Sequence, residues 1–268
     1  MTIANALEKA QKSLTLAKVN SVRIDSELLL AHVLKVDRAY LLAHQDDPLS
    51  PAQQAQYLDL IKRRAEHAPV VHLTNTREFY GLELFINEDV LTPRVETEKM
   101  VELALRYAPQ NSRVIDVGTG SGAIAAALCL NRPDLDITAT EIDQKALKVA
   151  LSNFSNLHAD VKLVQSDLFD SIAESFDVVV CNLPYLADNA DLMPEVQREP
   201  GVALFGGPDG LDIYRHFLRQ LPDHLAANGF LFTECDPWQQ ASLIEEAKSC
   251  GLKLIEEDYF ILGFQKEG

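Results

Sequence analysis

The sequence predicts an α/β protein in which a mostly parallel sheet, covered by helices, follows a small helical domain. Three observations carry this expectation. Apolar residues near the start recur at spacings of three and four. After about residue 113, short β-branched runs alternate with helical stretches. Between the two regimes lies an aromatic-rich segment around Gly81.

Taken in order, Ile3, Leu7, Ala10, Leu14 and Ala17 mark one face of a first helix. "RIDSELLLAHVLKV" gives a second apolar face. A third helix is well punctuated, with Ser50 as N-cap, Pro51 at the first helical position and Gln53 at the capping-box position. The expected helical domain spans residues 1–72. In "PVVHLTNTREFYGLELFINEDVL" aromatic and β-branched residues take over, and a β-hairpin connector is expected over residues 73–92. Thr92-Pro93 is expected to open another helix, "PRVETEKMVELALRYA", with Glu96 and Glu98 suited to its positive end. Next come strand "RVIDVG", helix "SGAIAAALCLNR", strand "DITATEID" and helix "QKALKVALSNFSN". "VKLVQSD", "FDVVVCN" and "GFLFTEC" are further strands, and "KLIEEDYFILGFQK" supplies a terminal antiparallel pair.

Bulk composition narrows the function. The chain has 268 residues, 47% hydrophobic and 24% charged, as globular proteins do. No apolar run is long enough to cross a bilayer, and the start lacks a secretory layout, so a cytoplasmic protein without membrane partners is expected. Cys129, Cys181, Cys235 and Cys250 are scattered and the seven histidines show no metal-ligand spacing, so no metal is expected. Residues 1–95 hold 11 basic and 12 acidic side chains, whereas the remainder holds 13 and 28. A domain that acidic repels phosphate backbones, which argues against direct nucleic-acid binding.

"VIDVGTGSGA" places Gly118, Gly120 and Gly122 between a strand and a helix. Such a turn bends sharply and lets a ligand approach backbone with no Cβ in the way. The spacing alone does not separate a dinucleotide from S-adenosylmethionine. Glu141 ends the next strand, where a carboxylate takes ribose hydroxyls, and Asp167 ends the third, where one accepts from an adenine amine. Candidate cofactor-binding residues are Asp116, Gly118, Thr119, Gly120, Ser121, Gly122, Glu141, Asp167, Leu168 and Asn182.

The fourth strand, "FDVVVC", stops at Asn182-Leu183-Pro184-Tyr185, the candidate catalytic residues. An amide nitrogen is a weak nucleophile because its lone pair is delocalised. To methylate one, a site holds the NH2 with acceptors so that the lone pair is redirected toward an activated methyl. The Asn182 oxygen and the Leu183 carbonyl can be those acceptors. Pro184 stiffens the loop, and Tyr185 offers a flat face for a planar amide. The displacement calls mainly for proximity and orientation, with no obligatory base.

These residues carry a resemblance. "ELLLAHVL", "RRAEHAPVVHLTNTREFYGLELFINEDVLTPRVETE", "DVGTGSGAIA", "NLPY" and "EPGVALFGGPDGLDIYR" resemble the HemK/PrmC family, release factor glutamine N5-methyltransferases, over nearly the whole chain. The resemblance implies a Rossmann-like S-adenosylmethionine-dependent methyltransferase domain over residues 93–268. It implies S-adenosyl-L-methionine as cofactor, its methionine end carried by Gly118, Gly120 and Gly122, its ribose by Glu141 and its adenine bordered by Asp167 and Leu168. The implied substrate is the glutamine of a Gly-Gly-Gln loop in peptide-chain release factors, held by Asn182 to Tyr185, with the helical domain recognising the body of the release factor.

Three positions depart from the family pattern. Leu183 stands where a second proline is usual, Val95 where a proline is common and Asn75 where a glycine is common. Leu183 restores an N–H but keeps the carbonyl, so binding is expected to survive. Two rival enzymes share parts of the pattern. An rRNA adenine N6-dimethyltransferase also uses Asn-Leu-Pro-Tyr but predicts a basic face. A glutamine methyltransferase acting on a ribosomal protein keeps the amide chemistry and is disfavoured by "ELLLAHVL" and "GGPDGLDIYR".

Overall fold

A computed structural model describes residues 1–267 and divides the chain into two compact units. The first comprises residues 1–76 with 192–198, and the second residues 77–191 with 199–268.

In the first unit, α1 (Ile3–Leu16), α2 (Val22–Leu34), α3 (Arg38–Ala43), α4 (Pro51–Ala65) and α5 (Val70–Thr74) close around Leu14, Leu29, Leu30, Tyr57 and Ile61. The punctuation of α4 is realised: Ser50 Oγ accepts from Gln53 N–H, and Gln53 Oε1 accepts from Ser50 N–H. Buried Arg64 donates to Asp25 at 2.6 Å and to Glu195 at 2.8 Å, which holds the 192–198 segment within this unit. Two helices here were absent from the sequence reading. One is α3, a single short stretch capped by Asp37. The other is α5, which straddles the expected boundary at residue 72: the β-branched "VVHLT" forms a helix ended by left-handed Asn75.

A hairpin follows, β1 (Thr76–Phe79) and β2 (Leu82–Phe85), turned by Tyr80 and Gly81, both at positive φ. The helix expected from Pro93 starts later, as α6 (Glu98–Tyr107). Residues before it are held outside helical geometry: the Pro93 carbonyl accepts from Arg77 Nε, and Thr92 N–H donates to buried Glu199. Then follow β3 (Arg113–Val117), α7 (Ala123–Asn131), β4 (Asp136–Glu141), α8 (Gln144–Leu157), β5 (Val161–Gln165) and β6 (Phe176–Cys181). The chain ends with α9 (Asp212–His224), β7 (Leu225–Glu234), α10 (Gln240–Ser249), β8 (Leu252–Asp258) and β9 (Ile261–Lys266).

These strands form one seven-stranded sheet, ordered β5-β4-β3-β6-β7-β9-β8. The first five run parallel, and β9 is antiparallel to both β7 and β8. Alternate strand residues face opposite sides. Ile115, Val179, Leu231, Leu262 and Phe264 share a core with Tyr214, Phe217 and Leu221 of α9 and Leu243 of α10. Strand order reverses between β3 and β6, and the register pairs Val117 with Cys181 and Cys181 with Thr233. The carboxyl ends of β4, β3, β6 and β7 therefore emerge along one edge, where ligands bind in such sheets. Among the described residues, no helix is long and apolar enough to cross a membrane.

Candidate active site

The edge of the second unit opens into a cavity of about 470 Å³, a size that suits a small-molecule ligand. Its wall includes Gly118, Thr119, Gly120 and Ser121 after β3, and Glu141 after β4. Asp167 and Leu168 follow β5, and Asn182, Leu183 and Pro184 follow β6. Residues up to 66 positions apart in sequence thus converge because parallel strands deliver every carboxyl end to the same side.

The glycine turn is pinned to the end of β4 by its own backbone donors. Gly118 and Thr119 N–H groups both donate to the Thr140 carbonyl, at 3.0 and 2.8 Å. Gly120 has φ +56°, and a Cβ there would meet nothing within 4 Å, so this residue faces the open cavity. Gly122 does a different job. At φ +82° it enters α7, and a Cβ would sit 2.6 Å from the Phe154 ring of α8. It therefore lets the turn pack on its neighbouring helix and does not line the cavity.

Asp116 was also expected at the cofactor, and the structure sets it beneath the turn. It is fully buried, accepts from Thr119 Oγ1 at 2.6 Å and from Ala125 N–H at 3.2 Å, and does not reach the cavity wall. Its role is to brace the turn against the start of α7. Burial pushes this carboxyl up to about 7, aided by Glu141 and opposed by its two donors. The fold therefore holds a proton there that the unfolded chain releases near its ordinary value of 3.8. The native state binds more protons between about pH 4 and 7, so this group's contribution declines as pH rises through that window and levels off above it. Melting curves for Asp116→Asn against pH are expected to lack this slope; curves parallel to wild type would refute the buried-carboxyl account.

Glu141 is 8% exposed and lines the cavity. One oxygen accepts from Ile142 and Asp143 N–H, the other from Gly120 N–H at 2.9 Å, so about three of its four acceptor sites are engaged and the carboxylate is fixed in place. Asp167 is exposed at the rim, next to Leu168 at φ +46°.

Asn182 donates from Nδ2 to Thr97 Oγ1 at 3.3 Å. Leu183 N–H, which a proline would lack, donates to buried Tyr214 Oη at 3.3 Å, and the Leu183 side chain packs against Gly118. Tyr185 stands behind the wall, not in it, and its hydroxyl donates to Glu234 at 3.2 Å. "FGGPDGLDIYR" is the buttress of this corner. Gly206 and Gly210 lie against the carbonyls of Pro184 and Tyr185, closer than any Cβ could approach. Gln239 Nε2 donates to Tyr185 O at 2.8 Å and to Asp209 O at 3.0 Å, tying the segments together.

Four wall or network residues were absent from the sequence reading. Phe79 reaches the cavity from the hairpin, and buried Asn153 bonds Phe85 and the Ser121 carbonyl, joining hairpin to turn. Thr97 and Glu234 meet behind Asn182 at 2.6 Å. A carboxylate closing a strand was a usable signal, since Glu234 ends β7 as Glu141 ends β4.

Residues 5–74 match the PrmC N-terminal domain and residues 98–199 match the methyltransferase small domain. A release factor glutamine methyltransferase from Koribacter versatilis is 39% identical over 87% of this chain and 86% of its own. One from Deinococcus radiodurans is 37% identical over 94% and 92%. The chain belongs to the release factor glutamine methyltransferase family. It is accordingly an S-adenosylmethionine-dependent protein-glutamine methyltransferase. A methyltransferase structure from Pyrococcus furiosus shares the fold at TM-score 0.56 and 19% identity, covering 82% of this chain and all of that one. A ribosomal protein L11 methylase from Lactobacillus delbrueckii does so at TM-score 0.50 and 19% identity, covering 65% and 81%.

The cavity fits that cofactor. It joins the close-approach backbone of Gly118–Ser121, a fixed carboxylate at Glu141, a second carboxylate at Asp167 and apolar wall from Ile142, Ala146 and Leu168. This donor set suits an amino acid end, a ribose and a flat base.

Proposed function

We propose that this enzyme methylates the N5 amide nitrogen of the glutamine in the Gly-Gly-Gln loop of peptide-chain release factors. The observation that carries the reading is that Asn182, Leu183 and Pro184 line the same cavity as the glycine turn and Glu141. An amide held at that corner therefore lies beside the cofactor-binding wall. The names of the curated relatives support a release factor as its source.

Each residue then has a task. The Gly118–Ser121 backbone would border the charged end of S-adenosylmethionine, Glu141 would hold its ribose, and Asp167 with Leu168 would border its adenine. When bound, the cofactor supplies an electron-poor methyl carbon. Asn182 Oδ1 and the Leu183 carbonyl accept the two amide protons and so turn the nitrogen lone pair away from its own carbonyl. Pro184 keeps those acceptors from relaxing. Tyr185, anchored through its hydroxyl, stiffens the corner from behind the wall. Burial and neighbouring Glu234 push the Tyr185 phenol well above its ordinary range, so it stays a neutral donor.

The reading is tested by incubating purified enzyme and labelled cofactor with a release factor and with its Gln→Ala copy. Label is expected on the first protein alone. Equal labelling of both, or labelling of ribosomal protein instead, would sink it.

A further inference from the structure

An asparagine carboxamide has nearly the same shape after a 180° flip, yet only its oxygen can accept from a substrate NH2. Something must fix the flip of Asn182. We propose that Glu234 and Thr97 act as positioning residues that hold the Asn182 carboxamide with its oxygen toward the cavity; this deepens the glutamine-methylation reading and rests on it.

The chain of hydrogen bonds is short and directional. Asn182 Nδ2 donates to Thr97 Oγ1 at 3.3 Å, and Thr97 Oγ1 donates to Glu234 Oε2 at 2.6 Å. The other oxygen of Glu234 accepts from the Tyr185 hydroxyl at 3.2 Å. A hydroxyl carries one proton, and a carboxylate offers only acceptors. Glu234 therefore takes the Thr97 proton, and the Thr97 oxygen is left with lone pairs alone. Asn182 must meet those lone pairs with its NH2, because the flipped amide would set oxygen against oxygen. Its Oδ1 is thereby directed away from Thr97, free to accept.

Two further observations fit this arrangement. Thr97 occupies the N-cap position of α6, where a threonine hydroxyl usually accepts from the helix backbone, yet it makes no such bond. The hydroxyl is committed to Glu234 instead. Thr97 and Glu234 are 3% and 2% exposed, so water does not compete for these bonds. Burial pushes the Glu234 carboxyl above its ordinary value, while donors on Thr97, Tyr185 and Asn182 pull it back. The register explains why the groups meet: Cys181 pairs with Thr233, so Asn182 and Glu234 leave adjacent strands side by side.

Valine and serine at position 97 separate a bonding role from a packing role. Valine keeps the shape and lacks the hydroxyl; serine keeps the hydroxyl and lacks the methyl. Thr97→Val is expected to lower kcat 10- to 100-fold with the cofactor dissociation constant within threefold of wild type. Thr97→Ser is expected to retain at least a third of wild-type turnover. Full activity in the valine variant, or equal impairment in both, overturns the proposal. Should Thr97→Val fail to fold, Glu234→Gln carries the same test, since glutamine no longer imposes the order of donors, and undiminished turnover would overturn it too. If wild type labels no release factor, the substrate reading fails by itself. The lock is then read from the Asn182 side-chain 15NH2 signals, assigned by their loss in Asn182→Asp. Slow hydrogen exchange in wild type and Thr97→Ser, and fast exchange in Thr97→Val, are expected; identical exchange in all three sinks the lock.

Discussion

Asn182→Ala is expected to slow methyl transfer about 10²- to 10³-fold while the protein stays folded, the size of loss seen when one pre-set polar group is removed from a reacting centre. The side chain sits at the end of β6 on the cavity wall, where its NH2 meets Thr97 and Glu234. Its loss therefore costs stability only about 1 kcal/mol. The rate is different, because an amide nitrogen gains nucleophilicity only while its protons are held and its lone pair is aimed. Single-turnover rates with saturating cofactor and release factor, alongside a melting curve, check both halves. Turnover within tenfold of wild type would show that the corner does not hold the reacting amide.

Gly210→Ala is expected to be the most damaging single methyl group in the second unit. Gly210 has φ +77°, and a Cβ would lie 2.0 Å from the Tyr185 carbonyl oxygen and 2.5 Å from Gln239 Nε2. The left-handed conformation alone costs an L-residue about 1–2 kcal/mol. The clash is with backbone, so the Tyr185 carbonyl must move and lose its bond from Gln239. A total near 3 kcal/mol corresponds to a melting temperature lower by roughly 6–12 °C. Because the displaced carbonyl belongs to the substrate corner, turnover should fall more than tenfold even below the new melting temperature. Gly81→Ala is the matched control. It carries the same strain at φ +75° but meets nothing within 4 Å, so a small loss of stability and ordinary turnover are expected. Equal effects of the two substitutions would mean that contact with Tyr185 is immaterial.

How far the sequence could be read varied with the range of the forces involved. The strands from Arg113 to Cys181 and the glycine turn were legible, because alternation and a Gly-rich strand-to-helix junction are local patterns. So was the capping box at Ser50 and Gln53, whose two partners are three residues apart. Local propensity misled where packing overrode it. "VVHLT" carries β-branched residues, yet Pro69 before it, left-handed Asn75 after it and buried Leu73 make it a helical turn. Thr92-Pro93 has the form of a helix start, but bonds from Arg77 and to Glu199 fix this stretch outside the helix, which starts at Glu98.

The candidate site divides the same way. Glu141, Asp167 and Asn182 were legible because strand ends in a parallel sheet share an edge, and that edge follows from the order of elements. Asp116 and Gly122 belong to the same motif, yet burial of one and the Phe154 ring beside the other turn them into supports.

What the chain's linear pattern determined by itself was the parallel sheet, the glycine turn and the Asn-Leu-Pro-Tyr corner, each a matter of neighbours within a few residues. Only the tertiary structure decided that Thr97 and Glu234, 137 positions apart, stand behind Asn182, and that Gly206 and Gly210 support the corner from below. The physical reason is that hydrogen-bond direction and steric closeness act over about 3 Å in space, a distance on which separation along the chain has no bearing.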